Sequence, residues 1–284
     1  MTDQNPPRIS VIVPTCHRND LLAKCLDCLA PGIQTLPPEQ YEVIVTDDGS
    51  RSTAQQLVES GYPWARWVEG PRTGPAANRN NGAGRAAGEF LAFVDDDCLP
   101  SADWLQAYAE AIQADCLVYE GKTTCAAGIT SPLYQAPINL TGGCLWSCNF
   151  MIQAALFHQL EGFDTQFAMP AMEDIDLHER LCRRSDTIVF VDAAVVDHPP
   201  RRITSGWRSG KMYEAKVQYW NKRGQYRHSF VAYLKHIKHQ LYWMQRFGFH
   251  RDLFPAGYEL LVETFYVIPR LPLWEKKYHN RYRA

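Results

Sequence analysis

The sequence has 284 residues, of which 46% are hydrophobic and 21% charged, as in an ordinary globular protein. Its net charge of -2 combines two unlike parts, because residues 1–199 hold 12 Lys and Arg against 26 Asp and Glu, whereas residues 200–284 hold 17 against 5. No apolar stretch reaches the ~18 residues of a membrane span and MTDQNPPR lacks the pattern of a signal peptide, so we expect a cytoplasmic location.

Short apolar runs alternate with helical patterns over the first two hundred residues, which predicts an α/β domain with a mostly parallel sheet covered by helices. The predicted strands are Ile9–Val13, Glu42–Thr46, Arg66–Glu69, Phe90–Val94, Cys116–Tyr119 and Ile188–Val191. The predicted helices are Asp20–Leu29, Thr53–Ser60, Pro75–Ala87, Ala102–Gln113 and Asp174–Arg183. Ligands bind beyond the carboxyl ends of the strands in such sheets, so those ends are the first places to look for a site.

Three of these strands end in polar motifs that the topology directs to one crevice. The first strand continues into PTCHR (Pro14–Arg18), the second into DDGS (Asp47–Ser50) and the fourth into the aspartate triplet Asp95–Asp97. Neighbouring carboxylates ~4 Å apart repel each other by roughly 4 kcal/mol at an effective dielectric constant of ~20. The triplet therefore needs a counter-charge nearby.

Four motifs follow one another in the order VIVPTCHRNDLLAKCLDCL, VIVTDDGS, NRNNGAGRAAGEFLAFVDDD and GFDTQFAMPAMEDIDLHERL. Together they resemble the successive signatures of family 2 glycosyltransferases, over roughly residues 8–200. The resemblance implies a GT-A fold, Rossmann-like with a mostly parallel mixed sheet, as a nucleotide-sugar-binding catalytic domain at residues 1–200. It further implies inverting, metal-dependent transfer of a sugar from a nucleotide diphosphate sugar to a hydroxyl acceptor, in the synthesis of a cell-surface glycan or glycolipid. UDP is favoured as the nucleotide, with GDP and dTDP as alternatives.

A divalent cation would supply the counter-charge for the triplet while it bridges the diphosphate to protein carboxylates. The resemblance implies that the cation is Mg²⁺ or Mn²⁺ and that Asp97 binds it together with His198. It also implies that Asp96 lies against the ribose and the metal site and that Asp95 begins the motif on the donor side. The alternatives are a solvated acidic turn or a helix cap for the triplet, and a structural or surface histidine for His198.

The nucleotide pocket is expected at the ends of the first two strands. Asp48 is similar to the family aspartate that accepts a hydrogen bond from the base, with an Asx turn as the alternative. Pro14 and Thr15 are expected to shape the pocket through backbone contacts. For Arg18 a phosphate and a surface carboxylate remain alternative partners.

Asn78-Arg79-Asn80 stands in the third predicted helix where the family often has Ala-Arg-Asn. Arg79 is a candidate to pair with the acidic site. Asn80 is a further donor-site candidate, with close packing of the helix on the sheet as the alternative, and for Gly82 we favour the packing role.

An acceptor hydroxyl must lose its proton as it attacks the anomeric carbon, which a nearby carboxylate can accept. In MEDIDLHERL, Asp174 matches the family's catalytic base at the start of a helix, and Glu173 is the second candidate. Clustered acids at a helix N-terminus also stabilise the helix dipole, and this simpler role suits Asp176 best. One base without a nucleophile motif implies a single, inverting displacement.

The segment TGGCLWSCNF precedes this base and is a candidate lining of the acceptor pocket. Trp146 would offer a stacking surface for a sugar, and Asn149 a polar contact. Aromatic residues are also common in cores, which is the alternative for Trp146.

Residues 201–284 form a basic, aromatic-rich extension with helical patterns, and residues 200–284 hold 18 of the 34 aromatic residues. Mixed cations and aromatic rings are typical of helices at an anionic membrane surface, here residues 207–284, or of a subdomain that packs on the acidic part of its own chain. No base-reading motif appears, so nucleic acid is not expected as a partner. A glycan or lipid-linked acceptor at the inner membrane face would suit a cytoplasmic enzyme with peripheral membrane association.

Two other functions fit parts of the pattern. Sugar-phosphate nucleotidyltransferases share a related sheet, but they open with a glycine-rich phosphate loop, which PTCHRND is not. A non-catalytic sugar-nucleotide-binding protein would not need the complete set of Asp48, Asp97, Asp174 and His198. The enzyme is therefore the favoured interpretation.

Overall fold

The structure, a computed structural model, describes residues 8–51, 53–203, 205–225 and 229–283. The chain divides into two units. The first consists of the residues up to Ala126, Pro137–Ala168 and Glu173–Pro199. The second consists of Ala127–Ala136, Met169–Met172 and the residues from Pro200 onward. The predicted division of roles between residues 1–200 and 201–284 stays a prediction.

The first half of the chain alternates strands and helices. In chain order these are β1 (Ile9–Thr15), α1 (Asn19–Leu29), β2 (Tyr41–Asp47), α2 (Gln55–Gly61), β3 (Ala65–Glu69), α3 (Pro75–Ala83), β4 (Phe90–Phe93), β5 (Leu99–Pro100), α4 (Trp104–Ala111) and β6 (Val118–Thr124). The second half begins with β7 (Tyr134–Gln135), β8 (Phe150–Gln153), α5 (Ala154–Gln159), α6 (Glu173–Arg184), β9 (Ile188–Asp197) and β10 (Arg201–Arg202). It ends with α7 (Gly206–Lys222), α8 (Ser229–Gln245), α9 (Leu253–Val267) and α10 (Leu271–Arg283).

The first unit is built on an eight-stranded sheet in the order β3-β2-β1-β4-β8-β6-β9-β5. The neighbours β3–β2, β2–β1, β1–β4 and β6–β9 are parallel, whereas β8 runs antiparallel to β4 and β6, and β5 antiparallel to β9. This mixed, mostly parallel sheet flanked by helices confirms the predicted fold class. The antiparallel strand β8 was not predicted, because it is short and only Phe150, Met151 and Ile152 of its four residues are apolar.

The central strands are buried on both faces, and their side chains alternate between two apolar clusters. Ile9, Val11 and Val13 of β1 contribute to one cluster, and Ile12 contributes to the other. The buried central strands therefore read as continuous apolar runs. All six predicted strands are present, including β3, of which only Val68 is buried. Gly82 lets α3 approach this sheet closely, since a Cβ atom there would lie 2.7 Å from Ile12 Cγ2.

The second unit holds α7 to α10 and the antiparallel pair of β7 and β10. Ser205 caps α7 by accepting hydrogen bonds from the backbone N–H groups of Trp207 and Arg208, as N-cap serines do. The apolar cluster of the second unit consists of Tyr213, Val217, Tyr233, Val267, Leu271, Trp274 and Tyr278. Among the helices of the described ranges, none combines the length and apolar composition needed to cross a bilayer.

Candidate active site

The site lies at the carboxyl ends of β1, β2 and β4. Strand β1 pairs in parallel with β2 on one side and with β4 on the other, so the chain reverses its direction of progress through the sheet at β1. Such a switch point leaves a crevice beyond the strand ends. Thr15, Asp48 and the triplet Asp95–Asp97 all follow these ends, and the Asp48 N–H donates to the Thr15 carbonyl over 2.9 Å.

Two arginines supply the counter-charges that the triplet requires. Arg79 Nη2 lies 2.6 Å from Asp95 Oδ1. Arg18 contacts the other two carboxylates, with Nη2 2.6 Å from Asp96 Oδ1 and Nη1 3.0 Å from Asp97 Oδ2. Of the alternatives for Arg18, the structure therefore shows a carboxylate partner, and one within the site rather than on the surface.

Asp96 is the most deeply buried member of the triplet, with no exposed surface. Thr15 Oγ1 donates to its Oδ2 over 2.6 Å. Burial raises the pKa of Asp96 to about 7, although Arg18 and Thr15 both act in the opposite direction. This carboxyl group therefore changes its charge near neutral pH.

Asp97, Cys98 and His198 bring three potential metal-ligand atoms within 4.8 Å of one another. His198 Nδ1 lies 2.9 Å from the Pro199 carbonyl oxygen, which accepts only from a protonated nitrogen. In a neutral imidazole, Nε2 then carries a lone pair, and it lies 3.6 Å from Asp97 Oδ1. Two acceptors that face each other in a buried site fit a cation between them.

The donor set also indicates which atoms would hold that cation. A carboxylate oxygen suits Mg²⁺ or Mn²⁺, and imidazole is a common metal ligand. Burial raises the pKa of the Cys98 thiol well above its usual value, and a thiol is a soft ligand that Mg²⁺ and Mn²⁺ do not favour. Asp97 and His198 are therefore the two side chains that fit.

A buried ion pair connects the aspartate triplet to α6. Besides its contact with Asp95, the Arg79 guanidinium places Nη1 3.1 Å from Glu173 Oε1. Arg79 and Glu173 are both almost fully buried, and the Phe163 ring lies 5.6 Å from the guanidinium carbon. The carboxylate neighbours raise the pKa of Arg79 despite its burial, whereas burial raises the pKa of Glu173.

Asp174, the other predicted base, follows Glu173 in the first turn of α6 and is half-buried. Its Oδ1 accepts from the Ile175 N–H over 2.8 Å, and the backbone of Ile175 and of Ser147 acts to lower its pKa. Burial raises the pKa of Asp174. Because Glu173 is engaged by Arg79, Asp174 is the more available proton acceptor of the two.

The second motif, DDGS, organises two loops through its aspartates. Asp47 is buried, and its Oδ1 and Oδ2 accept from the N–H groups of Gly49 and Ala54 over 2.7 and 2.6 Å. Asp48 Oδ1 accepts from the Arg72 N–H over 2.8 Å, and its Oδ2 accepts from the Gly74 N–H over 3.1 Å. Each Asp48 oxygen keeps a second lone pair, so its predicted role in base recognition stays a prediction.

Two of the predicted site residues are occupied by structural contacts. Asn80 clamps Phe163, because its Nδ2 donates to the Phe163 carbonyl over 2.8 Å and its Oδ1 accepts from the same residue's N–H over 2.9 Å. Asn149 is buried, and its Oδ1 accepts from Trp104 Nε1 and Tyr108 Oη, each over 2.8 Å. These contacts support packing roles for both amides.

The remaining predicted residues lie close to these elements. Pro14 and Thr15 end β1 and are buried, and the Thr15 carbonyl accepts from Asn78 Nδ2 over 3.3 Å. Trp146 is half-buried against the core, and its Nε1 donates to the Ile138 carbonyl over 3.3 Å. Its predicted stacking on an acceptor sugar stays a prediction.

Glu120 is a polar residue of the site region that sequence reasoning missed. It is buried on β6, and its Oε2 accepts from the N–H groups of Cys144 and Leu145 over 3.1 and 2.9 Å. Asn139 Nδ2 and the Gly143 N–H also donate to this carboxylate. No sequence signal identified it, because its partners lie about twenty residues further along the chain.

The match to a known family follows this geometry. Residues 10–142, which include the PTCHR motif, the DDGS motif and the triplet, match the family described as Glycosyl transferase family 2. Residues 10–142 belong to glycosyltransferase family 2. The sequence resemblance is thereby confirmed, and the family 2 glycosyltransferase domain lies within the first unit except for Ala127–Ala136.

Two curated relatives align with about a third of the chain. Glycosyltransferase AglE from Haloferax volcanii is 35% identical over 104 residues, which cover 35% of this chain and 34% of AglE. The GalNAc(5)-diNAcBac-PP-undecaprenol beta-1,3-glucosyltransferase of Campylobacter jejuni is 38% identical over 96 residues, which cover 32% of this chain and 30% of that protein. The matched region is thus about a third of each relative's length.

Solved structures share the fold over nearly the whole chain. S. aureus TarS 1-349 in complex with UDP superposes with a TM-score of 0.56 at 18% identity, covering 97% of this chain and 89% of the TarS 1-349 chain. Mannosyltransferase PcManGT from Pyrobaculum calidifontis, in complex with GDP-Man and Mn²⁺, gives a TM-score of 0.54 at 19% identity, covering 96% and 76%. These likenesses confirm the predicted GT-A fold with a helical C-terminal part.

Proposed function

We propose that this protein is an inverting glycosyltransferase that moves a sugar from a nucleotide diphosphate sugar to an acceptor hydroxyl, with Mg²⁺ or Mn²⁺. The observation that carries the proposal is the ion pair network in which Arg79 holds both Asp95 and Glu173. It ties the aspartate triplet, on the donor side, to the helix turn that presents Asp174. One site therefore combines groups for a diphosphate with a group that accepts a proton.

Donor binding is assigned to the ends of β1, β2 and β4. Arg18 has a side chain that is 38% exposed, and its guanidinium, which contacts Asp96 and Asp97, would place a positive charge beside the diphosphate. Asp48 offers the base a carboxylate acceptor, which suits the ring N–H of uracil. TarS in complex with UDP has the same fold and PcManGT is in complex with GDP-Man, so UDP stays the favoured nucleotide and GDP and dTDP the alternatives.

Asp97 and His198 are the residues assigned to hold the cation. When bound, a divalent cation neutralises charge on the diphosphate as the glycosidic bond breaks. The hydrogen bond of Nδ1 to the Pro199 carbonyl fixes the His198 tautomer that leaves Nε2 available. PcManGT is in complex with Mn²⁺, which supports the same class of cofactor here.

Asp174 is assigned as the general base. The acceptor oxygen attacks the anomeric carbon, its proton passes to the Asp174 carboxylate, and the bond between the sugar and the diphosphate breaks to release the nucleotide. A single displacement inverts the anomeric centre. The raised pKa of Asp174 brings its basicity closer to what a proton acceptor needs near neutral pH. Glu173 serves as a positioning residue through Arg79.

The acceptor is assigned to the glycan or lipid-linked class, and the protein to the cytoplasmic face of a membrane as a peripheral protein. The Campylobacter jejuni relative is named for a PP-undecaprenol-linked substrate, which supports a lipid-linked acceptor here. The basic, aromatic-rich residues 201–284 support association with an anionic surface.

The Asp174→Asn variant tests the catalytic assignment. Transfer from UDP-sugars with Mn²⁺ is expected to fall by roughly 100-fold or more, because general base catalysis contributes 10²–10⁴-fold. UDP affinity, measured by calorimetry, is expected to stay unchanged because Asp174 is not a donor ligand. Asp186→Asn, just beyond the end of α6, is the matched control. Full activity in Asp174→Asn would refute the assignment.

A further inference from the structure

Helix α9 presents an apolar stripe on its outer side. Phe254, Tyr258, Leu261 and Phe265 recur at the i, i+4, i+7 and i+11 positions, which lie on one face of a helix. Their exposed fractions are 85%, 59%, 57% and 77%. A surface of this size without a partner among the described residues is unusual for a protein that only meets water.

The opposite side of α9 contains the residues of this helix that are buried in the second unit. Ala256, Glu263 and Val267 are the buried residues of the helix and lie roughly half a turn away from the stripe. Close packing of α7 on α9 adds to this, since a Cβ atom at Gly206 would collide with the Glu259 carbonyl. The stripe is therefore not needed for the folding of the second unit.

The turn between α8 and α9 carries the same combination of apolar and cationic groups. Phe249 is fully exposed, next to Gly248 with a φ of 55°. Arg246 and Arg251 flank it in the sequence and are both exposed. An exposed aromatic ring between two cations suits the boundary between headgroups and acyl chains.

Helix α8 also carries exposed apolar and cationic side chains. Phe230, Leu234 and Leu241 are exposed and share one helix face. Lys235 and Lys238 are exposed on the same helix. Apolar side chains with adjacent lysines are the pattern of a helix that lies in an anionic interface.

We infer that the outer face of the α8–α9 hairpin, defined by the α9 stripe, the Phe249 turn and the exposed face of α8, binds the surface of an anionic lipid bilayer. Charge complementarity favours lipid as the occupant, because residues 200–284 carry 17 cationic against 5 acidic side chains. Arg246, Arg251, Lys235 and Lys238 would contact phosphate headgroups while the apolar side chains enter the acyl boundary. This inference deepens the membrane-associated part of the proposed function by naming the face.

Sedimentation with vesicles tests the hairpin without any donor or acceptor. The full chain is expected to bind vesicles of 70% phosphatidylcholine and 30% phosphatidylglycerol, and to bind pure phosphatidylcholine much more weakly. Phe249→Ser is expected to lower the partition coefficient about tenfold, because it removes a large apolar side chain from the lipid. Ile33→Ser is the matched control, since Ile33 is also an exposed apolar residue in a turn, but of the first unit.

A second pair of variants tests the electrostatic part. Arg246→Gln/Arg251→Gln is expected to weaken binding to the anionic vesicles by roughly 30-fold, the effect of two surface cations. Arg51→Gln/Arg85→Gln removes the same net charge from exposed positions elsewhere and is expected to bind like the wild type.

Three outcomes would overturn the inference. The first is that the wild-type protein does not bind the anionic vesicles. The second is that the test and control variants lose vesicle binding equally. The third is that a variant of the α9 stripe changes only the oligomeric state. For the third, Phe254→Ser/Leu261→Ser/Phe265→Ser is followed by sedimentation velocity, where a shift from dimer to monomer without loss of vesicle binding would assign the face to a second copy. Since no glycosyl transfer is measured, failure here is distinguishable from failure of the proposed reaction.

Discussion

At the scale of single residues, the site contains two arginines that each form ion pairs with two carboxylates. Arg18 spans Asp96 and Asp97, and Arg79 spans Asp95 and Glu173. Each guanidinium offers a planar set of donors, which lysine would not supply. The repulsion expected within the triplet is thus offset by the protein's own side chains as well as by any bound cation.

The tautomer of His198 leads to a prediction about metal binding. His198→Ala is expected to weaken Mn²⁺ binding by more than tenfold, the scale on which even an outer-shell loss acts. Titration of free Mn²⁺ by electron paramagnetic resonance measures this directly. His239→Ala, on exposed α8, is the control, and an unchanged Mn²⁺ affinity in His198→Ala would remove this residue from the site.

Asp96 leads to a prediction about stability and pH. The pKa of Asp96 is about 7 in the folded protein, against a usual value of 3.8. Its favourable contribution to the free energy of unfolding is therefore complete below pH ~4 and is lost as the pH rises through ~7. For the metal-free protein the loss is at most about 4 kcal/mol, and Glu173 acts in the same direction.

Urea unfolding of metal-free protein between pH 5 and pH 8 measures the effect. Asp96→Asn is expected to reduce the decline in the free energy of unfolding over this range, because the amide does not ionise. Asp192→Asn, at an exposed carboxylate, is expected to keep the wild-type decline. A decline of equal size in Asp96→Asn and wild type would show that Asp96 does not ionise in this range.

At the scale of elements, Glu120 of β6 fixes the loop that precedes β8. Its carboxylate accepts from the backbone of Gly143, Cys144 and Leu145, and Leu145 adopts a φ of 44° that a leucine rarely takes. Two residues further on, the Ser147 backbone lies close enough to Asp174 to lower the pKa of its carboxyl group. A buried carboxylate on one strand thus helps to place a contact to the proposed base.

Glu120→Gln is expected to lower the free energy of unfolding by about 1–3 kcal/mol, because the amide nitrogen meets N–H donors and leaves some of them unsatisfied. The kcat of sugar transfer is expected to fall while UDP affinity stays constant, since the loop contacts the base rather than the donor residues. Glu110→Gln, at an exposed position of α4, is the control. A variant with lower stability but unchanged kcat would limit Glu120 to a structural role.

At the scale of the whole molecule, the two units differ in net charge. The effect of a ligand on thermal stability reports on the first unit, which contains the candidate site. A ligand that binds only the folded state stabilises it by about 2.7 kcal/mol at 100 times its Kd. UDP with Mn²⁺ is expected to raise the midpoint of thermal unfolding more than GDP or dTDP with Mn²⁺. His198→Ala is expected to abolish the dependence on Mn²⁺, and a larger shift with GDP would replace UDP as the nucleotide.

The amino-acid sequence was sufficient to predict the family, the mostly parallel sheet and the strand ends at which the candidate site lies. This was possible because buried strands read as apolar runs, and because parallel strands bring PTCHR, DDGS and the triplet to one edge. The fourth motif contains Asp174, and the family resemblance also predicted a role for His198; both residues lie far from the triplet in the chain.

The partners of the polar side chains were not predictable from the sequence, because the folded chain brings them together from distant segments. Arg18 and Arg79 find their carboxylates through strand pairing and helix packing, and Asn149 and Glu120 use side chains or backbone from distant segments. Helical periodicity predicted helices in residues 201–284, but it did not show which face of α9 packs. Burial and hydrogen bonding depend on neighbours in space, and a single sequence records neighbours in the chain.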